Sequence, residues 1–284
     1  MIPAAFDYQA PTSVDEALRL LSEGGDDAKI IAGGQSLLPV LKLRLAAPEL
    51  VIDLAKIDDL KGIREDGDAI VIGAMTPHYQ VVSDPLVIQH ASLLAKCVAT
   101  VADPQVRHRG TLGGACVHAD PASDIPAPTL ALDAVFVVAG PGGQRRVAAA
   151  DFYTDFFTTA IGDDEILLEI RVPKYTGWGS AYEKFVRVAQ QWAIVGVAAA
   201  VRAEGGTIAE ARIGLTNMGP TPIRARAAEQ ALTGVPVAAG AIAEALSSIA
   251  DGTAPPTDLN GDPEYRRHLA PVLGRRAVLA AAGG

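Results

Sequence analysis

Cysteine is nearly absent from this sequence: Cys97 and Cys116 are its only two. Two thiols build no disulfide framework, and they fall short of the four thiolates an iron–sulfur cluster usually takes. Cys116-Val117-His118 offers two potential metal ligands, which make no site, so both cysteines read as small buried hydrophobes. Positive charge is also in deficit. Lys and Arg number 24 against 33 Asp and Glu, a net charge of −9, which argues against a broad nucleic-acid surface. No apolar run approaches the roughly 18 residues of a membrane span; the longest, Ala193 to Val201, is strand-sized. The opening MIPAAFDYQAP has neither a basic region nor a long apolar core, so it does not read as a secretory signal, and a cytoplasmic chain is expected. Ser-His-Asp and Cys-His orders are missing, as is an evident pair of hydrolytic carboxylates. His78, His90, His118 and His268 are scattered and read as surface or satisfied core residues.

Glycine, by contrast, comes in pairs. Ala32 to Ser36 reads AGGQS and Thr111 to Asp124 reads TLGGACVHADPASD. Each holds a Gly-Gly pair beside a hydroxyl residue, and each adjoins an apolar segment. Paired glycines let a backbone turn through positive φ and bare successive N–H groups, forming concave nests that hold anions, phosphates above all. Singly, each pair suits an ordinary tight turn. Together, 113 − 33 = 80 positions apart, they suit one diphosphate gripped from two sides, with Asp120 and Asp124 close behind.

The elements around them are legible. Ser13 to Glu16 is a capping box opening a helix with Ala17, Leu18 and Leu21 inward. Lys29 to Ala32 is a strand entering the first nest, Ser36 is placed to cap a helix over Leu37 to Leu43, and Glu49 to Leu54 is the next strand. A phosphate at that helix start would gain from orphan N–H groups and the helix dipole. A hairpin over 62–73, Thr76-Pro77 as cap and first helical proline, and helices near His78 to Val82 and Leu86 to Val101 follow. Asp103-Pro104 interrupts, Asp124 to Leu132 is helical, and Gly140 to Gly143 turns a hairpin rather than a dinucleotide loop. Beyond Pro173 to Gly179 come strands over 181–188, 193–202 and 207–215, then helices over 223–232, 237–250 and 263–281.

The two glycine segments resemble the FAD-binding motifs of the flavin-carrying medium subunit of molybdenum hydroxylases, the carbon monoxide dehydrogenase and xanthine dehydrogenase family. Leu37 to Leu54 (LLPVLKLRLAAPELVIDL), Tyr182 to Ala198 (YEKFVRVAQQWAIVGVA) and Glu264 to Val278 (EYRRHLAPVLGRRAV) extend the resemblance over nearly the whole chain. It implies an α+β fold: a two-lobed FAD-binding domain of the vanillyl-oxidase type over 1–174 (lobes about 1–56 and 57–174). A domain with a three-stranded antiparallel sheet and a helical bundle would follow over 178–284.

Residue by residue, the resemblance places Ala32, Gly33, Gly34, Gln35 and Ser36 in the first FAD motif and Thr111, Gly113 and Gly114 in the second. Asp124 matches the acidic position on the ribityl hydroxyls, and it also suits an N-cap of the following helix. Trp192 stands where some relatives carry tyrosine near one face of the isoalloxazine, or packs in the core ahead of Ala193 to Val197. Lys184 and Arg187 match basic positions and read as a solvated strand face, while Ala115 replaces an asparagine or serine common in relatives. The implied function is electron transfer by FAD. An iron–sulfur small subunit would carry the 2Fe-2S clusters and a molybdenum large subunit would oxidise the substrate, the whole being a dimer of heterotrimers. The external acceptor would be a quinone, NAD or oxygen, and no catalytic residue or metal is expected on this chain. A self-contained FAD oxidase or reductase of the same superfamily, and a cofactor-free assembly subunit, are the two alternatives.

Overall fold

A computed structural model describes residues 2–283. The first sheet is parallel and small. Strands β1 (Asp7–Gln9), β2 (Ala28–Ile31) and β3 (Leu50–Asp53) lie in the order β1-β3-β2. Helix α1 (Val14–Gly24) joins the first two and α2 (Leu37–Lys42) the last two. Ser13 Oγ accepts from the Glu16 amide at 3.2 Å, as a capping box requires, but the Glu16 carboxylate reaches back one residue further, to the Thr12 amide at 2.9 Å. β1 escapes sequence reading because DYQ is short, polar and exposed throughout.

The second sheet is antiparallel, in the order β4-β5-β10-β6-β7. Its first hairpin pairs β4 (Ile63–Asp66) with β5 (Ala69–Gly73). Six short helices then intervene: α3 (His78–Ser83), α4 (Pro85–His90), α5 (Ser92–Ala99), α6 (Pro104–Arg109), α7 (Leu112–His118) and α8 (Pro126–Ala131). The hairpin β6 (Val135–Gly140) and β7 (Gly143–Ala148) turns at Pro141-Gly142, as expected. The small helix α9 (Ala149–Phe152), the pair β8 (Tyr153–Asp155) and β9 (Thr158–Thr159), and the long β10 (Ile166–Pro173) complete this part.

Three local readings are corrected. Pro77 precedes the first helical residue of α3, and Thr76 is buried, donating its hydroxyl to the Gly62 carbonyl at 3.0 Å instead of capping. The single helix expected over 86–101 breaks at Ala91, whose φ of −138° and ψ of 43° leave the helical region. Ala91 is wholly buried, so packing overrides alanine's helix propensity there. Asp103-Pro104 does not merely interrupt. Asp103 accepts from the Val106 amide at 2.9 Å and Pro104 occupies the first turn, so the pair opens α6.

The remaining strands, β11 (Gly179–Phe185), β12 (Val195–Glu204), β13 (Thr207–Thr216) and β14 (Ile223–Arg224), form an antiparallel sheet in chain order. Three are the long strands expected; the fourth is a two-residue edge. Gly205 and Gly206 turn β12 into β13 with φ of 58° and 79°, the two left-handed residues of a tight hairpin. Helices α10 (Arg226–Leu232), α11 (Ala239–Ala245) and α12 (Pro263–Ala281) share a core with this sheet through Val197, Ile213, Leu232 and Leu273. Toward α8, Gly214 on β13 leaves room for the Ala127 backbone that any Cβ would fill. Among the described residues no helix is long and apolar enough to cross a membrane, and no group of three or more His, Cys, Asp or Glu is placed to hold a metal.

Candidate functional site

The strand β2 runs directly into the first glycine segment. Gly34 has φ of 74°, the left-handed region that glycine enters without penalty. Gly33 is glycine for another reason: a Cβ there would overlap the Arg109 carbonyl and lie 2.7 Å from the Gly110 Cα. The end of α6 therefore packs directly on the first segment. Gln35 folds back, donating its side-chain amide to the Gly33 carbonyl at 3.2 Å. Ser36, expected to cap α2, makes no capping bond; it already has helix-like backbone angles, φ −100° and ψ −46°. Among the described residues, the amides of Gly34, Gln35 and Ser36 donate to nothing. Three successive free N–H groups around a left-handed residue make an anion cradle.

The second segment differs from expectation. Gly113 and Gly114 are not left-handed; they form the first turn of α7. Thr111 is its N-cap, accepting from the Gly114 amide at 3.1 Å. The Leu112 amide donates to the Thr76 carbonyl at 3.0 Å and the Gly113 amide to the Ala74 carbonyl at 2.9 Å. These donors are already occupied, so the second segment is no open nest. Its glycines allow approach: a Cβ on Gly113 would stand 2.6 Å from the Ala74 Cβ, and one on Gly114 would meet Thr111 Oγ1 at 2.8 Å and the Ala32 Cβ at 3.4 Å.

Both segments face one cavity of about 710 Å3, within the roughly 300–1,000 Å3 of cofactor pockets. Ala32, Gly33, Gly34, Gln35 and Ser36 line one side of it; Thr111, Gly113, Gly114, Asp124 and Trp192 complete the set singled out from sequence. Val101, Val106, Ile166 and Leu167 supply apolar wall. Trp192 is 54% exposed, which excludes the core-packing alternative: β12 starts only at Val195, leaving Trp192 on the preceding loop at the cavity rim.

Asp124 does not cap α8, which begins at Pro126 after an uncapped Ile125. It is buried instead, accepting from Tyr182 Oη at 2.7 Å and from Lys184 Nζ at 2.7 Å. Burial pushes its carboxyl above the usual range, against the pull of the Lys184 ammonium and the Tyr182 hydroxyl. Lys184 is consequently not on a solvated face. Its side chain is 10% exposed, it also donates to the Thr100 carbonyl at 3.2 Å, and it lines the cavity. Tyr182 and Lys184 alternate on one face of β11, and that spacing was the available signal. Arg187 is exposed, as expected, but lies beyond the end of β11 rather than on a strand face.

His78 is a core residue, one of the two expected placements, but not a satisfied one. It is buried in the cavity wall, and its Nδ1 has no hydrogen-bond partner among the described residues. Burial, with the Arg107 charge nearby, lowers its pKa to about 4, so the ring is neutral at neutral pH. Its edge packs on Gly110, where a Cβ would stand 2.9 Å from Cδ2. Cys97 and Cys116 are buried free thiols, and burial pushes Cys116 up to about 12. Neither is a nucleophile. The cavity thus offers a row of free amides, a buried lysine paired with Asp124, and apolar walls. It is built to hold an elongated phosphorylated cofactor, and FAD fits that donor set.

Comparison with known proteins agrees. Residues 4–175 match the FAD binding domain in molybdopterin dehydrogenase, and residues 180–281 match the CO dehydrogenase flavoprotein C-terminal domain. The carbon monoxide dehydrogenase medium chain of Hydrogenophaga pseudoflava is 43% identical, over 99% of this chain and 98% of that one. The structure of reconstituted CO dehydrogenase from Oligotropha carboxidovorans superposes with a TM-score of 0.96 at 41% identity, covering 100% of this chain and 99% of the other. Quinoline 2-oxidoreductase from Pseudomonas putida 86 does so with a TM-score of 0.95 at 34% identity, covering 100% and 99%. The chain therefore belongs to the FAD-binding medium subunits of the molybdenum hydroxylases, oxidoreductase subunits of the carbon monoxide dehydrogenase and xanthine dehydrogenase type.

Proposed function

We propose that this chain carries FAD between partner 2Fe-2S clusters and an external electron acceptor in a carbon monoxide dehydrogenase-like molybdenum hydroxylase. FAD supplies chemistry that no side chain has, taking up electrons singly or in pairs. The observation that carries the reading is the cavity itself: free amides at Gly34, Gln35 and Ser36, lining the same cavity as the α7 glycines. Those amides hold the pyrophosphate, each charge-assisted bond contributing roughly 1.5–3 kcal/mol. Ala32 and Gly33 form the adjoining backbone, and Thr111, whose oxygen already accepts from Gly114, keeps its hydroxyl hydrogen to donate. Gly113 and Gly114 keep the floor free of side chains.

Asp124, oriented by Tyr182 and Lys184, takes the ribityl hydroxyls. Trp192, Ile166 and Leu167 line the same cavity and would shield the bound cofactor from water. Residues 1–174 form the FAD-binding unit and 178–284 the unit that completes the rim. The iron–sulfur and molybdenum centres sit on small and large partner subunits in a cytoplasmic dimer of heterotrimers, and a quinone, NAD or oxygen is the final acceptor. The deficit of cysteines supports this division, since two buried thiols hold no cluster.

The test is reconstitution. Flavin in the purified chain should stay oxidised with carbon monoxide, an aldehyde or an N-heterocycle, and bleach only when the iron–sulfur and molybdenum subunits are added. Turnover by the isolated chain would instead make it a self-contained oxidase.

A further inference from the structure

The EYRRHL stretch at the start of α12 contributes nothing to the cavity lining, yet its Arg266 is completely buried. A buried guanidinium is costly unless it is paired and hydrogen-bonded, so its partners are informative. One Nη donates to the Ile194 carbonyl, and the other to Asp258 Oδ1 at 2.6 Å. The same Oδ1 accepts from the Asn260 amide at 2.8 Å and the Gly261 amide at 3.2 Å, closing the turn Asp258 to Gly261. Asp262 then caps α12 by accepting from the Tyr265 amide at 2.8 Å. The turn is thus anchored at both ends.

What the turn touches is the cavity rim. Asn260 Oδ1 accepts from the Gln191 side-chain amide at 3.2 Å, and the Leu259 carbonyl accepts from Arg187 at 3.4 Å. Gln191 in turn accepts from the Arg187 backbone amide at 3.3 Å. On the inner side, Asn217 donates to the Ala193 carbonyl at 2.8 Å and the Ile194 carbonyl at 3.3 Å. Between these ties lie Gln190, Gln191 and Trp192, all lining the cavity. Gln190 has φ of 70°, a conformation that a side-chain-bearing residue keeps only where its surroundings impose it. Neither Trp192, over half exposed, nor the exposed Gln190 is packed firmly enough to impose it.

We propose that the Asp258–Gly261 turn, pinned by the buried Arg266, is the positioning element of the cavity rim: through Asn260 and Gln191 it holds Trp192 over the mouth and sets how far the bound flavin is exposed to small acceptors. The α12 motif then acts on the flavin at second hand, through the rim, and Arg266, Asp258 and Asn260 are positioning residues. This rests on FAD occupying the cavity.

The experiment uses the full chain with Asn260→Ala, which removes only the link to Gln191, and Asp258→Asn, which weakens the whole turn. Asn260 is a partly exposed turn residue, so Asn260→Ala decides the question even where Asp258→Asn folds poorly. Amide hydrogen exchange over 187–193, measured without FAD, should quicken about tenfold in Asn260→Ala, as for loss of one hydrogen bond from a local opening equilibrium. In the FAD-loaded variant, iodide should quench flavin fluorescence more strongly and oxygen should reoxidise the flavin faster, with FAD content equal to wild type. Unchanged exchange at 187–193 would overturn the tie. Faster exchange with unchanged iodide quenching would overturn the shielding. A wild-type chain that takes up no FAD sinks the cofactor reading instead, and the exchange result on the flavin-free protein still decides the tie.

Discussion

Gly33-Gly34 and Gly113-Gly114 are the same dipeptide on two sides of one cavity, and glycine is required in them for different reasons. The first is a donor array. Gly34 is left-handed and three amides in a row are free. The second is a floor. The Leu112, Gly113 and Gly114 amides are occupied by Thr76, Ala74 and Thr111 in turn, and the two glycines let α7 settle on Ala74 and face Ala32. One segment contributes polarity, the other the absence of bulk. A glycine pair in a sequence signals that a Cβ is unwelcome; whether the cause is φ or a neighbour is decided by what packs against it.

The comparison is broken most forcefully at Gly33, where the first segment meets backbone as a packing glycine does. Gly33→Ala forces a methyl into the Arg109 carbonyl, and overpacking typically costs about 1–3 kcal/mol, here toward the upper end because the clash is with backbone. Chemical denaturation should register that loss, with flavin binding abolished as the end of α6 is pushed away.

His78 tests the seam between the segments by pH. Its pKa falls from 6.5 to about 4 in the folded chain, chiefly through burial. The unfolded chain therefore binds more protons between those values, and stability drops as pH falls from about 6.5 to about 4. That lowering of its pKa corresponds to about 3–4 kcal/mol at most. Denaturation series should show this slope in wild type and its flattening in His78→Phe; equal slopes would mean the ring is not held neutral.

Smaller effects separate the two segments themselves. Gly34→Ala keeps the fold but places a methyl on a left-handed residue, which costs about 1–2 kcal/mol, and it should weaken FAD binding clearly as the free amides turn away. Thr111→Ala removes a helix cap worth about 1 kcal/mol and should leave FAD binding closer to wild type. Titrating both variants with FAD checks the order; a larger loss in Thr111→Ala would reverse the roles assigned to the segments.

Much of this was readable beforehand, and the exceptions have physical causes. Local signals carried the elements: Ser13 as a cap, the Gly140 to Gly143 hairpin, the α12 span. The glycine pairs also pointed to one shared site. What local pattern does not contain is the partner across the fold. Lys184 looks solvated in YEKF because its carboxylate, Asp124, lies 60 residues earlier and meets it only when β11 packs beside α5. Asp124 looked like a cap because nothing in ADPASD distinguishes a capping carboxylate from one drawn inward by a distant lysine. Trp192 could be core or rim, since the apolar run after it conceals that the strand starts three residues later. The second glycine pair looked left-handed because the carbonyls that occupy the Leu112 and Gly113 amides come from Thr76 and Ala74, before α3.

The central claim is that the first segment's free amides, and not a second open nest, anchor one FAD per chain. Its most direct measurement is the stoichiometric titration of flavin-free protein with FAD, followed by visible absorption and flavin fluorescence, in parallel for wild type, Gly34→Ala and Gly114→Ala. The account predicts saturation at one FAD per chain, a marked loss of affinity in Gly34→Ala, and a smaller one in Gly114→Ala, where the added methyl meets mainly the Thr111 hydroxyl. A colourless wild type that takes up no FAD, or a Gly34→Ala chain that binds as tightly as wild type, would contradict it.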